Sequence, residues 1–342
     1  MTTAARPVQT ARTTTAVREA GDPAAPTLVL IHGNVSSSAF FDRLIDDLST
    51  DHHVLAPDYR GYGDSARATI DATRGVADLS DDVAALLDTL GVEGAVDVLG
   101  WSAGGNVALQ LATDHPHRVR RVVLEAPGSP FGFGGSTGLD GRPVADDFAG
   151  SGGGTANPAF CEALRAGDRG EEPTSPRTTL RAFYVKPGFT FAPEVEEAYL
   201  DAMLQAFVGD DVYPGDTTTS ENWPGVAPGT TGMNNALSPK YLDQSGFADL
   251  DPAPPVLWIR GDADQIVSDT SMFDLAQLGR LGAVPGYPGE DVCPTQPMVS
   301  QVRAVLERAG AFTEVVYEDC GHSPHLEHPE RFAADVRAFL QG

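Results

Sequence analysis

The sequence predicts an α/β protein: a mostly parallel central sheet flanked by helices, with a mainly helical and loop segment inserted late in the sheet. Three observations carry that expectation. Short continuous apolar runs at 27–31, 96–101, 119–125 and 255–259 read as strands buried on both faces. Stretches with helical spacing follow the first of these runs, which is the alternation a parallel sheet requires. The rhythm stops at Ala126 and resumes near Pro255, so the chain divides into a core (1–126 and 254–342) and an insertion (127–253).

In chain order, residues 7–19 alternate loosely, read as one or two edge strands, and run into the Glu19-Ala20-Gly21-Asp22-Pro23 turn signal. The 27–31 strand ends in His32-Gly33-Asn34. Residues 39–48 carry helical spacing through Phe40, Phe41, Leu44, Ile45 and Leu48. A second central strand at 53–57 enters a glycine-rich loop, 58–65, and 76–90 reads as a helix stopped by Gly91. The 96–101 run then stops at Gly100-Trp101-Ser102-Ala103-Gly104, and a helical stretch comes next. Within the insertion, 132–154 reads as loop, helices are expected near 158–166, 177–185 and 193–208, and no strand pattern is visible. The core resumes with the 255–259 strand, a Gly- and Pro-rich connection at 281–296, a helix at 299–309, a strand at 313–317 and a closing helix at 329–340. An insertion over the carboxyl edge of such a sheet lies where ligands bind, so it reads as a lid.

Bulk properties exclude several classes of function. The 342 residues suit one large domain with an insertion, and 41% hydrophobic content supplies a packed core. A net charge of −25 argues against nucleic acid and anionic membrane as partners, since both need a basic surface. Only Lys186 and Lys240 are lysines; the joint excess of Ala, Gly, Arg, Asp and Pro fits a GC-rich genome better than adaptation to high salt. No run approaches the roughly 18 apolar residues of a membrane span, and the first residues lack an apolar signal core, so a cytoplasmic location is expected. Cys161, Cys293 and Cys320 lie far apart, without zinc spacing, and are expected to be free thiols. Composition sets no oligomeric state.

The chemistry centres on Ser102. A Gly-x-Ser-x-Gly match is credible only between a strand and a helix, and that is its setting here. A serine hydroxyl in such a turn stands at a helix N-terminus, where free amides gather. It needs a base to take its proton, an acid to orient the base, and a second amide to hold an oxyanion.

Five stretches together resemble the α/β-hydrolase fold: His32-Gly33, Asp58-x-Arg60-Gly61-x-Gly63-x-Ser65, Gly100-x-Ser102-x-Gly104, Gly261-x-x-Asp264 and Gly321-His322. They fall in that family's order, at strand ends, across about two thirds of the chain, and 127–253 falls where the family carries its cap. The resemblance implies Ser102 as nucleophile, His322 as general base and Asp264 as orienting acid. Glu125, at the end of the strand after the elbow, is the alternative acid. It implies Ala103 and Asn34 as backbone oxyanion donors, with His32 and Gly33 beside the pocket. Trp101 either lines the acyl pocket or packs the elbow. The 58–65 loop lacks the lysine of a phosphate loop and is expected to be structural. His325 and His328 are read as surface residues, with no metal and no cofactor expected.

The function so implied is hydrolysis of a small-molecule carboxylic ester or lactone through an acyl-enzyme. A serine at position 102 argues against the aspartate-nucleophile dehalogenases and epoxide hydrolases of the same fold. One alternative is hydrolysis of a carbon–carbon bond in a diketone-type acid, with Arg181 or Lys186 holding the substrate carboxylate. A second is a non-catalytic small-ligand receptor.

Overall fold

The computed structural model describes residues 4–310 and 312–342. Eight strands form the central sheet: β1 (Arg6–Gln9), β2 (Thr14–Ala20), β3 (Thr27–Ile31), β4 (His53–Pro57), β5 (Val96–Trp101), β6 (Val119–Glu125), β7 (Val256–Gly261) and β8 (Phe312–Tyr317). Their spatial order is β1-β2-β4-β3-β5-β6-β7-β8. β2 pairs antiparallel with both β1 and β4, and every other pairing in the sheet is parallel.

The parallel strands explain the continuous apolar runs. Leu28, Leu30, Ile31, Val98, Leu99, Val122, Val123 and Ile259 are all buried, because helices cover both faces. The covering helices include α1 (Asp42–Leu48), α2 (Ala77–Thr89), α3 (Ala103–Asp114), α6 (Met298–Ala309) and α7 (Pro329–Gln341). Between β6 and β7 the chain forms α4 (Pro158–Arg165) and α5 (Pro193–Leu204), with a short helix at Pro176–Thr179 running into a π-helical turn at Leu180–Tyr184. That segment adds no strand to the central sheet.

The connections place the site. β3 leads to β4 on one side, and β4 crosses back through α2 to β5 on the other. The order therefore reverses between β3 and β5, the switch point at which open α/β sheets bind ligands. Ile31 pairs with Gly100 in the β3–β5 register, so the loops after the two strands emerge side by side.

One expectation fails in the insertion. Three small two-stranded ribbons are present there: Ser136–Thr137 with Arg142–Pro143, Val208–Gly209 with Tyr213–Pro214, and Thr217–Thr219 with Val226–Pro228. Strands of two or three residues are too short to show an alternating pattern, so composition alone reads them as loop.

The glycine-rich loop after β4 is built from internal bonds. Asp58 accepts from the Ser38 and Asp64 amides at 2.7 and 3.0 Å, and Ser65 Oγ donates to the Asp58 carbonyl at 2.7 Å. Arg60 anchors the loop to α2 with two bonds to Asp82, both 2.7 Å, and one to Asp78 at 3.4 Å. Arg12 reaches the same two carboxylates at 2.8 Å each. Arg60, Asp78 and Asp82 are all buried. Arg60→Ala is expected to lower the unfolding free energy by about 3 kcal/mol, the lower end of the range for breaking a buried pair, because Arg12 still serves both carboxylates. Urea denaturation measures this. A loss below about 1 kcal/mol would place the network with ordinary surface ion pairs.

Candidate active site

At the end of β5 the chain turns within one residue. Ser102 has φ 56° and ψ −124°, and α3 begins at the next residue. This mirror image of a type II turn position is entered freely only by glycine, so a serine there carries strain of about 1–3 kcal/mol. The flanking glycines make the turn possible. A Cβ on Gly100 would lie 2.2 Å from the Gly104 carbonyl oxygen, and one on Gly104 would lie 2.0 Å from the Ile31 carbonyl oxygen. The Ser102 amide donates to the Glu125 carbonyl at 2.8 Å, fixing the turn to the neighbouring strand.

His322 sits in the loop after β8, almost fully buried. Its Nδ1 lies 2.8 Å from Asp264 Oδ2. Asp264 Oδ1 accepts from the Ile266 and Val267 amides at 2.7 and 3.0 Å, so the carboxylate has one face for the backbone and one for the imidazole. With Nδ1–H donated to the acid, Nε2 is left as the acceptor. The Trp101 indole N–H donates to the His322 carbonyl at 3.1 Å, tying the histidine loop to the strand that carries the serine. Among the described residues, no hydrogen bond joins the Ser102 hydroxyl to the His322 ring; catalytic contacts of this kind often tighten only around substrate.

A cavity of about 320 Å³ opens above Ser102. Its wall includes Asn34, Trp101, Ser102, Ala103 and His322 from the strand ends, and Phe133, Phe160, Phe183, Tyr184 and Leu237 from the inserted segment. Among the described residues, no Asp, Glu, Lys or Arg side chain lines it. Trp101 is on the cavity wall, and its ring stacks on Phe40 at 5.3 Å.

Several residues stand elsewhere than the sequence suggests. Glu125 is not beside His322. Its Oε1 accepts from the amide and Nδ1 of His325 at 2.9 and 2.7 Å. His325 is accordingly buried rather than on the surface, because a carboxylate enclosed at the end of β6 needs a partner. His328 is half-buried and packs on Tyr317 at 5.6 Å. His32 and Gly33 do not line the cavity. His32 is fully enclosed beneath it, Nδ1 donating to the Gly33 carbonyl at 2.8 Å and Nε2 accepting from the Tyr59 amide at 3.1 Å. Burial brings its pKa down to about 4, so the imidazole stays neutral. Arg181 pairs with Glu171 and Glu196, each at 2.8 Å, and Lys186 pairs with Asp319; neither lines the cavity.

Sequence reasoning missed Tyr184 and Asn234 as cavity residues: Tyr184 ends the π-helical turn within the stretch read as a helix at 177–185, and Asn234 sits in a four-residue helix, Met233–Ala236, too short to show which face meets the cavity. The three cysteines are free and buried. Among the described residues, no group of three or more His, Cys, Asp or Glu side chains is placed to hold a metal ion, and no helix is long and apolar enough to cross a membrane.

Known proteins give a consistent picture. The family model for the alpha/beta hydrolase fold matches residues 26–161. The 2-hydroxymuconate semialdehyde hydrolase of Pseudomonas sp. (strain CF600) is 40% identical over 100 residues, 28% of this chain and 35% of that protein. A pimeloyl-[acyl-carrier protein] methyl ester esterase of Neisseria meningitidis serogroup C is 38% identical over 109 residues, 32% of this chain and 40% of that protein. The chain thus spans well under half the length of these curated relatives. The crystal structure of the esterase RhEst1 from Rhodococcus sp. ECU1013 superposes with a TM-score of 0.60 at 21% identity, covering 99% of both chains. Sheet order, the match over residues 26–161 and full-length structural likeness agree that this chain has the α/β-hydrolase fold.

Proposed function

We propose that this protein is a serine hydrolase of neutral, largely apolar carboxylic esters, lactones included. The observation that carries the reading is the buried His322–Asp264 pair opening on the same uncharged cavity as the strained Ser102. Ser102 Oγ attacks the substrate carbonyl while His322 Nε2 takes its proton, and Asp264 stabilises the imidazolium. The tetrahedral oxyanion is held by the backbone amides of Ala103 and Asn34, each worth about 3–4 kcal/mol in the transition state. His322 then returns the proton to the leaving alkoxide. Water, deprotonated by the same histidine, releases the acid from the acyl-enzyme. Residues 127–253 act as the cap over the core of 1–126 and 254–342, supplying much of the apolar wall that excludes water. One relative that is a methyl ester esterase by name supports the ester assignment.

The cavity chemistry also bears on the carbon–carbon alternative. A substrate acid would bring a carboxylate into an apolar wall, at a cost of several kcal/mol without a partner. Arg181 and Lys186, the candidate cations, are committed to ion pairs away from the cavity. The decisive comparison is p-nitrophenyl butyrate against the p-nitrophenyl half-ester of succinic acid, which differ by one terminal carboxylate. The butyrate is expected to be turned over with kcat/KM at least ~100-fold higher, the ratio a few kcal/mol of unpaired charge imposes. Equal rates, or a preference for the half-ester, would overturn the neutral-substrate assignment.

A further inference from the structure

The loop that carries Asn34 is tethered from two directions, and the two sets of tethers come from different parts of the chain. From the core, the Gly33 carbonyl accepts from His32 Nδ1 and from Ser36 Oγ, both at 2.8 Å. In a trans peptide the carbonyl and the following N–H point opposite ways. Pinning the Gly33 oxygen inward therefore aims the Asn34 N–H outward, on the side of the cavity. Tyr62 adds a bond from its hydroxyl to Asn34 Oδ1 at 2.8 Å.

The remaining tethers come from the inserted segment. The Tyr184 hydroxyl lies 2.9 Å from the Asn34 carbonyl and 3.1 Å from the Val35 carbonyl. Asn34 Nδ2 donates to Asn234 Oδ1 at 3.0 Å. Both partners also line the cavity. The conformation they hold is a costly one. Val35 has φ 45°, which is strained for a β-branched residue and persists only where neighbours enforce it. Tyr184 is itself fixed. It is buried against Phe40 and Trp101, at 5.9 and 5.8 Å, at the end of the π-helical turn, a widened geometry that recurs at functional sites.

We infer that Tyr184 and Asn234 are positioning residues that sharpen the aim of the Asn34 amide in the oxyanion hole when the inserted segment is seated on the core. The inference rests on the serine-hydrolase reading, in which the Asn34 amide is an oxyanion donor. Lifting the segment removes the bonds to the Asn34 carbonyl, the Val35 carbonyl and Asn34 Nδ2 together. The strained loop is then held by its core tethers alone, and the amide is aimed less well. The site is thus more active while the segment is closed over its substrate.

The test uses Tyr184→Phe, which removes a tether with little change in shape, and Asn234→Ala, which removes the other tether together with its carboxamide. Kinetics with p-nitrophenyl butyrate are measured beside inhibition by butylboronic acid, which forms a tetrahedral adduct on the serine oxygen. Loss of one oxyanion-hole donor costs about 100- to 1,000-fold in kcat, so a misaimed donor is expected to cost roughly 10- to 100-fold. KM should change little, and boronate affinity should weaken by a similar factor to kcat. Tyr241→Phe breaks a similar hydroxyl–carbonyl bond, 2.8 Å to Gly229, away from the oxyanion loop, and should leave kcat unchanged. Unchanged kcat in both test variants, or a rise in KM alone, would overturn the inference and leave the two residues as cavity wall. A wild type that neither hydrolyses esters nor binds the boronate would remove the underlying reading as well.

Discussion

Ser102→Ala is expected to lower kcat by roughly 10⁶-fold, with His322→Ala close behind and the double variant scarcely worse, because nucleophile and base act as one unit. The fold should survive all three changes. Ser102 is bound into the turn through its backbone, by the 2.8 Å bond from its amide to the Glu125 carbonyl and another of 2.8 Å from the Gly105 amide to its own carbonyl. Neither depends on the side chain. Alanine tolerates φ 56° no better and no worse than serine, so thermal unfolding should be nearly unchanged. Ester turnover measured by p-nitrophenol release, with melting curves on the same preparations, checks both halves. Activity within tenfold of wild type in either single variant would remove Ser102 or His322 from the chemistry.

Much of this site is legible in the sequence because parallel strands are buried on both faces. Runs such as Thr27–Ile31 and Val96–Trp101 stand out from the rest of the chain, and the loop leaving each of them lies by topology at the carboxyl edge of the sheet. His32-Gly33-Asn34, Ser102, Asp264 and His322 can therefore be placed on that edge from sequence alone. Contacts between residues far apart in sequence are not legible. Glu125 and His325 are 200 residues apart, and the four-residue helix Pro324–Glu327 is too short to show which face is buried. A carboxylate at a strand end then looks like a rival triad acid, and its partner looks like a surface histidine. His32 misleads in another way: a residue beside a donor reads as facing the pocket, whereas it acts from beneath through the Gly33 carbonyl. The inserted segment is the least legible, since its ribbons are too short for alternation, and nothing in the spacing of 177–185 or of the four-residue helix Met233–Ala236 shows that Tyr184 and Asn234 meet the Asn34 loop across 150 and 200 residues of sequence.

Asp264→Asn is expected to lower kcat by about 10⁴-fold, while Glu125→Gln costs less than about tenfold. The difference comes from which atoms each carboxylate presents. Asp264 Oδ1 accepts from two backbone amides, at 2.7 and 3.0 Å. An asparagine must keep its carbonyl on that side, so its NH₂ faces His322 Nδ1. Nδ1 is then forced to accept, the proton moves to Nε2, and the imidazole can no longer take the serine proton. Glu125 has the opposite arrangement. Its Oε1 alone receives both the amide and Nδ1–H of His325, and a glutamine carbonyl can occupy that position with both bonds kept. The loss in Glu125→Gln is charge on a buried pair, a stability cost of about 1–3 kcal/mol rather than a change in the chemistry. Single-turnover rates and unfolding free energies of the two variants separate the cases. If Glu125→Gln proves the more crippled in rate, the orienting acid is Glu125, and His322 must reach it through a rearranged 321–325 loop. If Asp264→Asn is the more crippled, with stability preserved, the bond from Asp264 Oδ2 to His322 Nδ1 sets the tautomer on which turnover depends.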